Sequence, residues 1–109
     1  MSLHTILYIS TTRAPLPAHE LTQLLAAARR NNGHNDITGL LVVGGRRFLQ
    51  ALEGPESAVR ATFERISADP RHFAVVRLAD KAIETRNFPG WSMGFEAGGT
   101  PSLEDQLAT

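Results

Sequence analysis

Gln50 stands between Phe48 and Leu52 in the run Arg46–Glu53, on a strand face where carbon is expected. A buried amide costs about 1–3 kcal/mol for each group left unpaired, so a buried Gln50 must be bonded to something. Tyr8 lies on a second strand-like run with Ile6 and Ser10 on its face, and its hydroxyl is a suitable partner. Periodicity leaves two readings open: a satisfied Tyr–Gln pair inside a core, and a pair presented to a ligand. Asn31, Asn32, Asn35 and Asp36 cluster further along, where caps and turns use these residue types. A planar heteroaromatic ligand with an imide edge needs the same equipment, an amide that donates to a carbonyl and accepts from an N–H. Asn32 is the best candidate, with Leu24 and Ala28 as one wall of such a pocket and Ile37 on its far side; ordinary core packing explains these three apolar residues as well. Arg65, Arg71 and His72 can form a cationic rim that holds phosphates, while Asp69 accepts from sugar hydroxyls. Equally, Arg65 is a helix-end cation and Asp69 a turn former. Trp91 and Met93 alternate with Ser92 and so share a strand face, as core or as the movable plug of a switch.

Several chemistries have no foothold. Cysteine is absent, which removes disulfides, thiolate catalysis, cysteine-ligated zinc and iron–sulfur clusters. His4, His19, His34 and His72 have no short metal-ligand spacing, so no metal is expected. No Gly-rich phosphate loop of the dinucleotide or Walker type occurs, and Ser10-Thr11-Thr12 lacks a nucleophile-elbow context. The formal net charge is +0 at pH 7, which gives no reason to expect nucleic acid as a partner. The apolar runs are strand-sized and the N-terminus lacks a secretory signal pattern, so no membrane association and a cytoplasmic location are expected.

The elements that must position these residues can be read in order. Thr5–Ser10 is a strand candidate, with Ile6, Tyr8 and Ser10 on one face and Leu7 and Ile9 on the other. Pro17 opens a helix whose stripe is Leu21, Leu24, Leu25 and Ala28, with Gly33 as its stop. Leu40–Val43 and Arg46–Glu53 read as a hairpin turned by Gly44-Gly45. A second helix carries Val59, Phe63 and Ile66 and stops at Asp69-Pro70. Phe73–Leu78 is a fourth strand, and Trp91–Phe95 a short fifth one after Phe88-Pro89-Gly90. At 109 residues this is one domain, α+β and ferredoxin-like: β-α-β-β-α-β with an additional fifth strand, two helices on one face of a mixed sheet. Both sheet faces carry apolar side chains, and two helices cover only one. The helix-free face should therefore meet the C-terminal tail, a second copy in a homodimer, or a C-terminal output domain.

Taken in order, LYIS with Tyr8, the helix end RRNN, DITGLLV, RFLQALEG with Gln50, DPRH and FPGWSMGF resemble the BLUF family of blue-light sensors across about residues 3–95. That resemblance implies FAD as cofactor and a sensor rather than an enzyme. It implies that Tyr8 is the photoactive tyrosine, giving an electron and a proton to the light-excited oxidised flavin, and that Gln50 lies between it and the flavin N5/O4 edge. Rapid return leaves Gln50 rotated or tautomerised with a changed bond to O4, which gives a small red shift. The resemblance further implies that Asn32 holds the flavin C4 carbonyl and N3–H edge, with Asn31 at a more variable pocket position. Arg65, Asp69, Arg71 and His72 then meet the ribityl and phosphate portions, and Trp91 and Met93 carry the signal on the fifth strand. Family members that stand alone continue into two helices over the far face. Residues 1–95 therefore read as the sensor, and 96–109 as a linker or the start of a truncated capping helix, leading to an output domain or a separate regulatory protein. A flavin-free ferredoxin-like dimerisation or regulatory module is the alternative, and an acylphosphatase-like hydrolase of the same topology lacks the tight anion loop it needs.

Overall fold

A computed structural model of the protein describes residues 2–97. The elements are β1 (Leu3–Thr12), α1 (Ala18–His34), β2 (Thr38–Gly44), β3 (Arg47–Pro55), α2 (Glu56–Ser67), β4 (His72–Ile83) and β5 (Gly94–Ala97). They form one five-stranded sheet in the order β4-β1-β3-β2-β5, antiparallel throughout except for the parallel β2–β5 pair. This is the expected ferredoxin-like α+β arrangement with an added strand, its two helices on one face of a mixed sheet.

Local chemistry explains how the chain enters and leaves each element. Pro17 precedes the first turn of α1, where a missing N–H costs nothing. The helix runs one residue past Gly33, and Asp36 then adopts the left-handed conformation (φ 58°) while the Ile37 N–H returns to the Asn32 carbonyl at 2.9 Å. That six-to-one bond is the usual way to close a helix C-terminus, and here it fixes the backbone that carries Asn32. Gly45 (φ 59°) and Arg46 turn the β2–β3 hairpin; positive φ at only the first loop position is a II′ geometry, which glycine alone adopts without strain. Ala74 also has positive φ, beside the register shift between β1 and β4.

Alternation sorts the sheet. Ile6, Tyr8, Phe48, Leu41 and Leu52 are buried on the helix face, with Leu25 of α1 and Val59 of α2 over them. The opposite face carries Leu7, Ile9 and Leu49, half-buried, while Phe73 and Val76 of edge strand β4 are exposed, as the apolar far face led one to expect.

Two strand expectations need correction. β4 extends from His72 to Ile83, well beyond Phe73–Leu78, because an edge strand exposed on both sides has no clean alternation to read. β5 begins at Gly94, not Trp91, because the carbonyls of Trp91, Ser92 and Met93 are taken by Gly39 N–H, Asn32 Nδ2 and Arg29 Nε instead of by a strand ladder. Trp91 and Met93 consequently part: Met93 is 2% exposed and Trp91 51%. Glu96 and Ala97 belong to β5 and not to a linker; the remainder of the expected tail lies outside the described residues.

Gly54 ties this framework together. A Cβ there would lie 2.6 Å from the Asp36 carbonyl oxygen and 3.4 Å from the Ile37 Cα, both backbone atoms at the α1–β2 junction. Gly54→Ala is expected to lower stability by about 1–3 kcal/mol, as overpacking against backbone does. A urea midpoint equal to that of the parent chain would show that the junction yields without cost.

Candidate functional site

A cavity of about 210 Å³ opens between α1 and α2 over the middle of the sheet. Leu24, Ala27, Ala28, Asn31 and Asn32 come from α1; Leu41, Phe48 and Gln50 form the floor; Thr62, Arg65 and Ile66 come from α2, and Asp69, Arg71 and His72 from the turn after it. α2 packs against β1, β3 and β4, and the cavity lies on its α1 side. Asn31, Asn32, Leu24, Ala28, Gln50, Arg65, Asp69, Arg71 and His72 are thus brought together as the sequence led one to expect. Ile37 is not among the lining residues: it is buried at 1% exposure in the core cluster. Thr62, Leu41, Phe48 and Ile66 line the cavity without having been singled out; each lies on a buried stripe that sequence periodicity assigns to core.

At the deep end, Tyr8 and Gln50 are directly opposed on β1 and β3. The Tyr8 hydroxyl donates to Gln50 Oε1, and Gln50 Nε2 donates to Met93 Sδ at 3.5 Å. Tyr8 is 1% exposed, its ring edge-on to Phe63 at 5.2 Å between centroids. Burial pushes its phenol well above the ordinary value, so Oη keeps its proton across the physiological range. Gln50 retains a second Nε2 proton and a second Oε1 lone pair with which to address the cavity. Asn32, 2% exposed, donates from Nδ2 to the Ser92 carbonyl at 2.6 Å, which leaves its Oδ1 and second N–H available.

The outer end is charged. Asp69 accepts from Arg71 through Nε at 3.1 Å and Nη2 at 2.6 Å, and this guanidinium holds its carboxyl down at about 2. Burial lowers the pKa of His72 further than neighbouring Asp69 raises it; its Nδ1 lies 3.0 Å from Ser10 Oγ and its ring makes a T-shaped contact with Phe48. Arg65 and Arg71 bring the permanent positive charges to this rim, with His72 beside them. Among the described residues, no group of three or more His, Cys, Asp or Glu is arranged to hold a metal, and no helix is long and apolar enough to cross a membrane.

The gradient along this cavity fits a flavin dinucleotide. Apolar walls suit a flat ring, the amides of Asn32 and Gln50 can meet an edge of alternating acceptors and N–H, and Arg65 and Arg71 at the mouth can neutralise phosphates.

Comparison with known proteins agrees. Residues 3–94 match the family model described as BLUF, sensors of blue-light using FAD. The chain is 36% identical over 86 residues to the blue light- and temperature-regulated antirepressor BluF of Escherichia coli (strain K12), 79% of this chain and 21% of that protein. It is 34% identical over 109 residues to the photoactivated adenylate cyclase subunit beta of Euglena gracilis, 99% of this chain and 12% of that one, so it spans a minor part of either relative. The dark-state structure of BlrB, a BLUF protein, superposes with a TM-score of 0.88 at 36% identity, covering 97% of this chain and 81% of that one.

The Tyr8–Gln50 bond can be weighed in the chain itself. Tyr8→Phe and Gln50→Leu each strand one buried polar partner and should each cost about 1–3 kcal/mol. The double variant strands neither, so it should lose clearly less than the sum; strict additivity in a double-mutant cycle would mean that the bond does not form.

Proposed function

This chain belongs to the BLUF family, and from that premise we propose that its Tyr8–Gln50–Met93 chain of hydrogen bonds is the element that blue light rearranges. The domain binds flavin and senses blue light; it is a sensor and not a catalyst. The observation that carries the reading is a buried amide shared between a phenol and a thioether at the deep end of a flavin-sized cavity.

FAD, when bound, supplies blue-light absorption and a ring that accepts an electron from Tyr8. Asn32 orients the imide edge through its free amide groups, Leu24 and Ala28 exclude water from one side, and Asn31 flanks them. Arg65 and Arg71 neutralise the phosphates, while Asp69 and His72 accept or donate along the sugar chain. Tyr8 holds its proton on Oη, aimed at Gln50 Oε1. A phenol that has lost an electron is strongly acidic, so the proton moves along this bond onto Oε1. Return of both the electron and the proton to Tyr8 would leave no net redox change and would let the Gln50 amide settle rotated or tautomerised, with a changed donor toward the ring edge. A new bond to the carbonyl on that edge lowers the excited state relative to the ground state and shifts absorption to the red.

Either change alters what Nε2 offers Met93. Because the carbonyls of Ser92 and Met93 are held by Asn32 and Arg29, a displaced Met93 pulls on a segment fixed to α1 and leading into β5. Residues 1–95 act as the sensor, and the fifth-strand region passes a population shift to an output. The named functions of the relatives, an antirepressor and an adenylate cyclase, support an output enzyme or a regulatory protein as that partner, met through the apolar helix-free face that a second copy could also occupy.

The purified protein is expected to show a flavin absorption band that moves slightly to the red as a whole under blue light and recovers in darkness. Gln50→Leu should abolish the shift without expelling FAD, and Tyr8→Phe should retain FAD and lose the normal donor. An unchanged photocycle in either variant would remove that residue from the mechanism.

A further inference from the structure

Glu53 is the largest fully buried polar side chain, among the described residues, that this mechanism does not use. It is 1% exposed, on β3 three residues beyond Gln50 and on the opposite sheet face. Its carboxyl accepts from the backbone N–H of Phe88 at 2.6 Å and of Asn87 at 2.8 Å, and from Thr38 Oγ1 at 3.0 Å. Arg86 binds the same corner from outside: Nη1 donates to Thr38 Oγ1 at 2.8 Å and to the Glu53 carbonyl at 3.2 Å, and Nη2 donates to the Asp36 carbonyl at 2.9 Å. Two consecutive amides of the chain between β4 and β5 are thus bonded to the strand that carries Gln50.

That connector also decides which side chain meets Gln50. Past the clamp, the Trp91 N–H returns to the Phe88 carbonyl at 3.1 Å, the Trp91 carbonyl accepts from Gly39 N–H at 2.9 Å, and the indole stacks on Phe88 with centroids 5.8 Å apart. The ring rests against Gly94, where any Cβ would strike it. With Phe88 and Trp91 placed in this way, Met93 is the side chain delivered to Gln50 Nε2. If the connector slipped, Glu53 would be left buried without its two amide donors, a costly state that keeps the register single.

We propose that Glu53 and Arg86 are positioning residues for the light response: they clamp the β4–β5 connector to β3 and so hold Met93 against the Gln50 amide with Trp91 outside. The proposal rests on the sensor reading of Gln50. An amide at position 53 would set its own N–H against one of the donors that the carboxyl now accepts, so Glu53→Gln opens the clamp with little change of shape.

Trp91 is the single tryptophan and reports on the connector directly. In the FAD-loaded parent in the dark, its fluorescence should be readily quenched by acrylamide. In Glu53→Gln and in Arg86→Ala, Trp91 and Met93 should exchange over a broader set of positions, with the quenching constant reduced at least about twofold and dark recovery slowed roughly tenfold, the scale of one lost charge-assisted bond. Flavin content and the size of the red shift should be retained, and Arg86→Lys should restore part of the parent behaviour. Should Glu53→Gln fail to fold, Arg86→Ala, which removes the half-buried outer half of the clamp and leaves the Glu53 carboxyl its two amide donors, carries the same test. Parent-like quenching and recovery in the folded variants would overturn the clamp. If the parent binds FAD but shows no reversible shift, the sensor reading fails, and the dark quenching comparison still decides whether the clamp exists.

Discussion

A glutamine amide buried in a sheet must be satisfied, and much of this molecule is arranged around that requirement. Gln50 faces the helices between Phe48 and Leu52, where an unpaired amide would be among the most destabilising single features of so small a domain. Tyr8, directly across on β1, supplies the donor for Oε1, and Met93 supplies only a weak acceptor for Nε2. The satisfaction is asymmetric: one strong bond, one weak one, and capacity left over toward the cavity. A reversible switch needs a second arrangement, and the weak Nε2 bond to Met93 is the contact that gives way at least cost.

The cavity follows from how the helices sit. α1 is closed by Asp36 in a left-handed conformation, with Ile37 bonded back to Asn32, so the amide of Asn32 is carried by a fixed backbone and not by a loose helix end. Its Nδ2 holds Ser92, which makes one side chain both a wall of the cavity and an anchor of the segment that carries Met93. The pocket and the route out of it therefore share atoms.

Strand alternation made Tyr8 and Gln50 legible in the sequence, since both are polar residues on faces otherwise built of carbon, and the order of elements followed from the turns between them. Long-range tethers were not legible. The Trp91-Ser92-Met93 run alternates like a strand, yet its carbonyls go to Gly39, Asn32 and Arg29, groups at least fifty positions away, and the two large side chains end on opposite sides of the boundary with solvent. Ile37 carried a hydrophobic signal that fits a pocket wall and a core equally well, and it is buried in the core cluster without lining the cavity. His72 reads as a cation beside Arg71, and its burial, which no spacing shows, lowers its pKa. Glu53 gave a signal that was not used, a carboxyl in an apolar alternation just before Gly54, the same anomaly that marked Gln50.

The central claim is that the Gln50 amide itself is rearranged by light, and infrared difference spectroscopy of the FAD-loaded protein with isotope-labelled glutamine side chains tests it most directly. The account predicts a light-minus-dark band that shifts with the label and is absent from Gln50→Leu, together with a downshift of the flavin C4 carbonyl stretch. A full red shift with no label-sensitive band would contradict it, because the spectral change would then arise without any change at Gln50.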